Sequence, residues 1–510
     1  MTESCQSVPY DVVPPSASAM IESMRAYGYS LPVAIADLID NSISAGASNV
    51  WLTFHWGGQD SWIAVADDGS GMSEAELVAA MRLGSKSPLA ERSAWDLGRF
   101  GLGMKTASFS QCRRMTVRSV HGGSASVRRW DLDYIASQSN VEQDGWRLLR
   151  QAAADSDGRL QSPAPSDGTV VLWEQMDRVT GESSVSSETD QRAFHRHVQA
   201  VRAYLGMVFH RYLQSPRSRI RIFINGRDQE NRIQPWNPFL QDHPSTQATP
   251  AEPIAVGAHR MISVKGFVLP HKDRLGHDLH RDASGPAGWN AQQGFYVYRN
   301  ERLLVAGDWL GLGQGKPWTK EEHYKLARIQ LDLPNTMDQE WQIDVKKSVA
   351  VPPAAVRGRL LSLAKDVRQL AREVFAHRGQ YGPRSARPDL VRPWLATTSG
   401  GRPKYRIDRN HPLVSEMLRL AGDKVSLAEA ALQVIEETVP VQRIWLDAAE
   451  KPDTHLLPFE DRTKSDVKRL MQHTYEACRA GGSTSQEALD QLRQREEFRE
   501  YGELLNEIED

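Results

Sequence analysis

Three short stretches between residues 31 and 106 combine the acidic side chains, the amide and the glycines that a nucleotide site needs. They are residues 36–41 (ADLIDN), 66–71 (ADDGSG) and 98–106 (GRFGLGMKT). Each stretch alone is a weak signal, because acidic turns and glycine-rich loops serve many purposes. In this order and at this spacing, they together predict a site for a phosphate-bearing nucleotide.

The first stretch lies on a predicted amphipathic helix. Apolar residues recur at helical spacing from residue 31 to residue 43 and form one face. Asp37 and Asn41 lie one turn apart on the opposite face, near Asp40, and no Lys or Arg balances the acids. A carboxylate beside an amide oxygen can hold a water molecule and Mg²⁺, which prefers oxygen ligands. A solvated polar face is the plainer interpretation.

The two glycine-rich stretches predict tight turns close to a ligand. Gly69 and Gly71 follow an apolar run, and they permit tight turns and close approaches, although a plain turn after a strand is the alternative. Residues 98–103 precede or enter a predicted helix, where backbone N–H groups suit a phosphate chain. Lys105 and Thr106 could then reach the terminal phosphate. The glycine order fits neither a P-loop nor a clean dinucleotide fingerprint.

Together, residues 31–174 resemble the ATP-binding domain of the GHKL superfamily, which includes gyrase, heat-shock chaperones, histidine kinases and MutL. Four motifs stand in the family's order. Residues 37–41 are similar to the N box, 67–71 to D-x-G-x-G, 98–103 to the second glycine box, and 168–169 to the last adenine-site motif. The pattern looks most similar to prokaryotic MORC-like ATPases. The resemblance implies a Bergerat-type sandwich, with helices over a mixed β-sheet.

The resemblance also implies roles for individual residues. Asn41 would coordinate Mg²⁺, Asp67 would bind the adenine amino group, and Lys105 would contact the terminal phosphate of ATP. Asp37 stands where MutL-like and MORC-like members have the Glu that activates water, and its side chain is one methylene shorter. Slow or partner-stimulated hydrolysis of ATP to ADP and phosphate is therefore expected, and ATP binding without efficient turnover is the alternative. The further ATP-binding residues implied are Gly69, Gly71, Ser85, Lys86, Gly98, Arg99, Phe100, Gly101, Leu102, Gly103, Met104, Thr106 and Thr169.

Composition and charge indicate an ordinary globular protein. The chain has 510 residues, of which 40% are hydrophobic and 25% charged, and this excludes bulk disorder. A net charge of −2 excludes a polycation built to coat nucleic acid, although not a local basic patch. The three cysteines show neither metal-binding nor disulfide spacing. No window resembles a signal peptide or a membrane span, so a cytoplasmic protein without a membrane partner is expected.

The elements that must position these residues form a predicted α+β chain of five segments. They are an N-terminal arm at 1–15, the ATP-binding domain at 16–176 with a lid at about 84–97, a transducer-like α/β domain at 191–378, a linker at 379–406 and a helical C-terminal domain at 407–510. Ser85 and Lys86 begin the lid and could face phosphates, or could belong to an ordinary surface loop. The arm either crosses to a partner subunit, as in several relatives, or is a disordered end.

The segment 191–378 resembles the transducer domain that follows the ATP domain in MutL, gyrase and MORC proteins. Predicted strands at 219–224, 261–269, 294–299 and 326–333 and helices at 191–213 and 353–377 support this. Residues 341–348 stand where that domain presents a lysine to the terminal phosphate. We therefore predict Lys347, or alternatively Lys346, as a catalytic residue, whereas a surface charge pair is the plainer interpretation.

Three functions compete. In the first, ATP closes the lid, two N-terminal domains pair as a homodimer, and this switch or clamp acts on DNA. The MORC resemblance adds a nuclease or helicase partner and bacterial antiviral defence, and arginines of the predicted linker could contact DNA phosphates. The second is a chaperone-like ATPase acting on proteins. The third, a histidine-kinase-like protein, is disfavoured because no phosphoacceptor helix precedes the site.

Overall fold

The computed structural model of this chain describes most of its residues. The described ranges are 15–26, 28–84, 103–138, 145–161, 166–214, 219–257, 260–338, 340–344, 349–376, 392–399, 402–450 and 459–508. The chain divides into two compact units, residues 1–380 and residues 381–510. Across these described ranges, every helix is too short or too polar to cross a lipid bilayer.

A six-stranded mixed sheet organises the first half of unit one. Its strands are β1 (Asn49–His55), β2 (Trp62–Asp67), β3 (Arg114–His121), β4 (Ser124–Asp131), β5 (Gly168–Glu174) and β6 (Arg221–Ile224). The spatial order is β4-β3-β5-β2-β1-β6, and only the β1–β6 pair is parallel. In β1, Val50, Leu52 and Phe54 alternate with less buried residues, so this strand turns one face to the core.

Eight helices of the described residues accompany this sheet. They are α1 (Ala17–Arg25), α2 (Leu31–Ser44), α3 (Glu74–Met81), α4 (Gly103–Phe109), α5 (Leu132–Ser137), α6 (Asp157–Gln161), α7 (Glu188–Val208) and α8 (His210–Leu213). Pro32 suits the first turn of α2, because the amide hydrogen that proline lacks would have no partner there. Leu31, Ile35 and Ile39 bury the apolar face of α2, which packs against α4, α7 and β2.

The first sheet continues past the boundary that the sequence suggested between residues 176 and 191. The strand predicted at 219–224 forms β6 and pairs in parallel with β1, through Val50 and Ile222 among others. The helix before it, α7, buries Phe194 and Val201 in the same core as β1. The residue pattern of a strand predicts that the strand exists but not which strand it pairs with. For this reason, our sequence analysis placed residues 191–224 in the following domain.

A second mixed sheet follows in unit one. It contains β7 (Gln247–Ala248), β8 (Glu252–Val256), β9 (Arg260–Val268), β10 (Gly294–Arg299), β11 (Arg302–Asp308) and β12 (Ala327–Leu333). The order is β11-β10-β12-β9-β7, with β8 also paired to β9. The short α9 (His277–Ala283) precedes β10, and the long α10 (Ala354–Ala376) packs on β9 and β12 through one apolar stripe.

Unit two is a hairpin followed by helices. The hairpin is β13 (Trp394–Ser399) and β14 (Arg402–Ile407), and the helices are α11 (Pro412–Ala421), α12 (Val425–Glu437), α13 (Val441–Glu450), α14 (Lys464–Ala480) and α15 (Ser485–Gln494). The hairpin corrects the prediction that 379–406 is only a linker; Pro403 and the many polar residues concealed the strand pattern. The helical C-terminal region and the mixed α/β fold class are confirmed.

Candidate nucleotide-binding site

Asp67 is the last residue of β2, and three donors hold its buried carboxylate. Ser42 Oγ of α2 donates to Oδ2 at 2.9 Å, and the N–H of Gly69 donates to Oδ1 at 2.9 Å. The N–H of Thr169, which lies opposite in β5, also bonds to the carboxylate. We call these four residues the Asp67 cradle. Because a carboxylate offers about four lone-pair positions, it can still accept a hydrogen bond from a ligand.

Burial raises the pKa of Asp67, and the charge of Asp68 adds to this shift. Hydrogen bonds from Gly69, Ser42 and Thr169 oppose it. A further donor, such as the amino group of a purine base, would favour the ionised form in the same way. The cradle is therefore suited to a ligand that brings an N–H group to a buried acceptor.

The adjacent Asp68 has a different task. Its Oδ1 accepts hydrogen bonds from the backbone N–H groups of Ser48 and Asn49, at 2.8 and 2.7 Å. Asp68 therefore ties the loop to the start of β1, whereas Asp67 faces α2. The two neighbouring acids therefore contact different elements, α2 for Asp67 and the start of β1 for Asp68.

Gly69 and Gly71 are required by the space around the loop. A Cβ at Gly69 would lie 2.9 Å from Ala45 Cβ at the end of α2. Gly71 has φ +65°, and a Cβ there would lie 1.8 Å from the carbonyl oxygen of Val120 in β3. The loop is therefore clamped between α2 and β3, and its glycines allow this close approach.

Asp37 of α2 is buried and is oriented by a phenol. Tyr29 Oη donates to Asp37 Oδ2 at 3.2 Å, and Tyr29 also bonds to the side chain of Thr106. Burial raises the pKa of Tyr29, and the charge of Asp37 adds to this, so the phenol stays protonated and remains a donor. A Cβ at Gly103 would lie 3.5 Å from Asp37 Oδ2, so the start of α4 lies directly against the carboxylate.

The helix α2 reaches both acidic positions, with Asp37 directly and with Asp67 through Ser42. Asp37 and Ser42, which reaches Asp67, are separated by about 7.5 Å along the axis of α2 at 1.5 Å per residue. Asn41 lies between them, and its side chain is exposed. An elongated ligand lying beside α2 could therefore contact the Asp67 cradle at one end and Asp37 at the other.

Asp40, the other acid of α2, forms a buried ion pair with the second sheet. Arg302 Nε, at the start of β11, lies 2.9 Å from Asp40 Oδ1, and both side chains are almost fully buried. The guanidinium also lies 4.4 Å from the ring of Phe209. The sequence placed Asp40 on a polar outer face, but the structure buries it against a cation from a distant strand.

Lys105 is buried, and its ammonium group donates hydrogen bonds to two backbone carbonyl oxygens. Its Nζ donates to the carbonyl oxygens of Ala80, at 2.8 Å, and Arg82, at 3.0 Å. The ammonium therefore binds the C-terminal end of α3, where a cation is favoured by the helix dipole. The contact of Lys105 with a terminal phosphate stays a prediction.

The remaining described residues of the predicted site lie at the start of α4 and β5. Met104 packs partly buried against the core, and Thr106 is buried with its hydroxyl near Gly103 O at 3.3 Å. Thr169 Oγ1 lies 2.9 Å from Ser119 Oγ of β3. Ser119 Oγ in turn accepts from the N–H of Met72 at 2.8 Å, which links β5 to the loop that follows Gly71.

Several predicted site residues lie outside the described residues. They are Ser85, Lys86, Gly98, Arg99, Phe100, Gly101, Leu102, Lys346 and Lys347. Two described residues flank the predicted lysines: the Val349 N–H donates to Asp344 Oδ1 at 3.0 Å. The charge of Asp344 acts to raise the pKa of Tyr29, after the larger effects of burial and Asp37. Asp344 therefore lies within electrostatic range of the Asp37 end of the site.

Sequence reasoning missed Ser42, Tyr29 and Arg302. Ser42 directly follows Asn41, and its place on the helix next to the acidic residues was a usable signal. Tyr29 lies just before α2 and carries no pattern of its own. Arg302 lies far away in the sequence, and no local periodicity connects it with Asp40.

A comparison with protein families matches residues 29–154 to a family described as histidine kinase-, DNA gyrase B-, and HSP90-like ATPase. The matched range contains α2, the glycine loop after β2 and α4.

Curated proteins that are similar to this chain include three named DNA mismatch repair protein MutL. The protein of Rhodopseudomonas palustris (strain HaA2) is 33% identical over 90 residues, which cover 18% of this chain and 15% of that protein. That of Acidiphilium cryptum (strain JF-5) is 33% identical over 101 residues, covering 20% and 17%. That of Paramagnetospirillum magneticum (strain ATCC 700264 / AMB-1) is 35% identical over 100 residues, covering 19% and 16%. The chain thus spans about a sixth of the length of these relatives.

Proposed function

Because residues 29–154 match the GHKL-type ATPase family, we propose that this chain binds ATP with Mg²⁺, hydrolyses it slowly, and acts as a nucleotide-gated switch on DNA. The Asp67 cradle is the observation that carries the nucleotide assignment. It offers a buried, oriented acceptor at the end of a strand, beside a loop whose glycines are required by close packing. The adenine amino group is the donor proposed for this acceptor.

Asn41 is the residue proposed to hold Mg²⁺. Its exposed amide lies one turn after Asp37 and between the two ends of the site, and amide and carboxylate oxygens suit a hard cation. The bound ion would neutralise charge on the phosphates of ATP. Asp40 is engaged by Arg302, so Asn41 is the oxygen donor of α2 proposed for the ion.

Asp37 is proposed as the general base. Its carboxylate would take a proton from the water that attacks the terminal phosphorus, and Tyr29 would hold the carboxylate in position. The shorter side chain supports slow or partner-stimulated turnover, because reach to the water is reduced by one methylene. Lys347 would stabilise the charge that develops on the terminal phosphate. This assignment rests on the resemblance of residues 341–348 to the stretch in which a transducer domain presents its lysine.

Action on DNA is proposed on two grounds. The relatives matched here are named DNA mismatch repair proteins, and the motif pattern resembles that of MORC-type ATPases. A clamp that pairs when ATP binds, with a nuclease or helicase partner and a role in bacterial defence, is the most specific form of this proposal. Residues 225–376 would act as the transducer, and unit two would bind the partner.

Release of phosphate from ATP tests the proposed function. We expect turnover that requires Mg²⁺ and is stimulated by duplex DNA, with the stimulation lost as salt rises, because contacts to DNA phosphates depend on ionic strength. Stimulation by an unfolded protein and not by DNA would instead favour a chaperone-like ATPase. Turnover that persists in excess EDTA would contradict the assignment of Asn41.

A further inference from the structure

A tight turn in the second sheet places Arg302 beside α2. The turn between β10 and β11 consists of Asn300 and Glu301, which have φ of +47° and +66°. Tyr212 Oη donates to the carbonyl oxygen of Asn300 and fixes this turn against α8. The first residue after the turn is Arg302, whose Nε lies 2.9 Å from Asp40 Oδ1. The hairpin of β10 and β11 therefore positions the guanidinium of Arg302 against α2.

The surroundings of Arg302 fix its charge. Burial alone would lower the pKa of Arg302, but the charge of Asp40 raises it, with further contributions from Tyr204 and Asp37. The ring of Phe209 lies 4.4 Å from the guanidinium carbon and provides a flat apolar support. Arg302 is therefore a buried, permanently charged group whose field reaches both acids of α2.

This charge matters because of what stands next to Asp40. Asn41 follows it directly, Asp37 lies one turn before it, and α2 contains no cation. Without Arg302, Asp40 would be a buried anion that has lost this cation, close to the proposed phosphate end of the site. Such a charge repels a polyanionic ligand at short range, and it also costs folding free energy.

We propose that Arg302 is a positioning residue of the ATP site, through which the second sheet neutralises Asp40 and holds α2 in the form that accepts the phosphates. This inference rests on the proposed ATP-binding function. It assigns Arg302 no contact with the nucleotide. ATP binding therefore depends on the hairpin of β10 and β11, although this hairpin lies far from α2 in sequence.

The test compares two arginines of the same hairpin. Arg302→Met removes the cation beside α2, whereas Arg299→Met removes the other buried ion pair of the hairpin, between Arg299 and Asp338. With a non-hydrolysable ATP analogue and Mg²⁺, we expect Arg302→Met to lose affinity by roughly tenfold or more, because the cation that pairs with Asp40 is removed. Arg299→Met should bind within about twofold of wild type, because its pair does not involve α2. Equal affinities of wild type and Arg302→Met would overturn the inference.

A double variant separates neutralisation from direct contact. Arg302→Met combined with Asp40→Leu removes both charges, and replacement of a complete buried pair is often tolerated by the fold. If Arg302 acts through Asp40, the double variant regains most of the lost affinity and Arg302→Lys retains part of it. If Arg302 touches phosphate itself, the double variant stays as weak as Arg302→Met, and the inference is wrong.

Failure of the proposed function and failure of this inference give different experimental results. A wild-type chain that binds no ATP analogue contradicts the proposed function and this inference with it. A wild-type chain that binds, together with a double variant that is no better than Arg302→Met, contradicts the inference alone. Thermal unfolding of all variants shows whether Arg302→Met is folded, and the double variant keeps the comparison available if it is not.

Discussion

Asp37 and Asp40 lie one turn apart on α2, yet their partners give them different chemistry. Asp37 accepts a hydrogen bond from a phenol and borders the start of α4, whereas Asp40 pairs with a buried guanidinium. A carboxylate held by an arginine is a poor base, because the cation stabilises its ionised form. Asp37 is therefore suited to accept a proton, whereas Asp40 is suited to a structural role.

Asp37→Asn tests the proposed base. The amide has the same shape and can still bond to Tyr29, so ATP should remain bound, while phosphate release should fall by roughly 10²-fold or more. Single-turnover phosphate release with saturating ATP measures this, and Asp60→Asn, an exposed acid after β1, serves as the control. Turnover equal to wild type would show that another group activates the water.

The residues at the site differ in how far the sequence predicted them. Asp67 and its glycines belong to a compact motif, and the structure gives each a physical reason. Lys105 was predicted at a phosphate because of its place after a glycine loop, but its direction depends on where α3 ends. Arg302 could not be predicted, because only tertiary structure brings β11 to α2.

At the scale of elements, the loop after β2 shows how packing selects residues. Gly71 needs both a positive φ and space that the Val120 carbonyl takes from any Cβ, whereas Gly122 has φ +55° with open space around it. Both glycines have a positive φ, but only Gly71 lacks space for a Cβ. They therefore form a natural pair for separating conformational strain from steric overlap.

Gly71→Ala should destabilise the protein more than Gly122→Ala. The left-handed backbone costs about 1–2 kcal/mol in each variant. Overlap with the Val120 carbonyl adds about 1–3 kcal/mol for Gly71→Ala alone. Chemical denaturation of both variants measures the difference, and equal losses of unfolding free energy would show that the loop can move away from β3.

Local sequence patterns predicted where several elements lie but not how the strands pair. The strands β9, β10 and β12 and the helix α10 lie within a few residues of their predicted positions, because their apolar periodicity is strong. The pairing of β6 with β1 was missed, since pairing is a property of two distant segments. The hairpin in the predicted linker was missed because its strands carry mainly polar residues.

At the scale of the whole molecule, unit one joins the two sheets through one continuous core. Tyr296, Tyr298 and Leu303 of the second sheet share a hydrophobic cluster with α2 and β1. The pair of Arg211 with Asp332 adds a polar link between α8 and β12. Packed side chains therefore connect α2 with the second sheet, as the proposed nucleotide-gated switch requires.

Nucleotide-dependent pairing of two chains is the prediction that belongs to this scale. We expect a thiol crosslinker to join two copies through Cys5 of the N-terminal arm when the ATP analogue is present, because closure over ATP favours the paired state. Cys112 and Cys478, which are buried, are replaced by Ala so that they cannot contribute. Crosslink yields that are the same with and without the analogue would exclude a nucleotide-gated clamp.

The most direct test of the account is calorimetric titration of the Mg²⁺ complex of an ATP analogue into three proteins: wild type, Asp67→Asn and Asp68→Asn. Asp67 lies in the cradle, whereas Asp68 ties the loop to β1, so the neighbours form a matched pair. We predict that Asp67→Asn binds roughly 10- to 100-fold more weakly, since the adenine amino group would meet a donor in place of an acceptor. Asp68→Asn keeps an oxygen for the backbone N–H groups of Ser48 and Asn49 and loses only the bond from Asn49 Nδ2, so it should bind like wild type. Equal affinity of all three proteins would contradict the assignment of the ATP site.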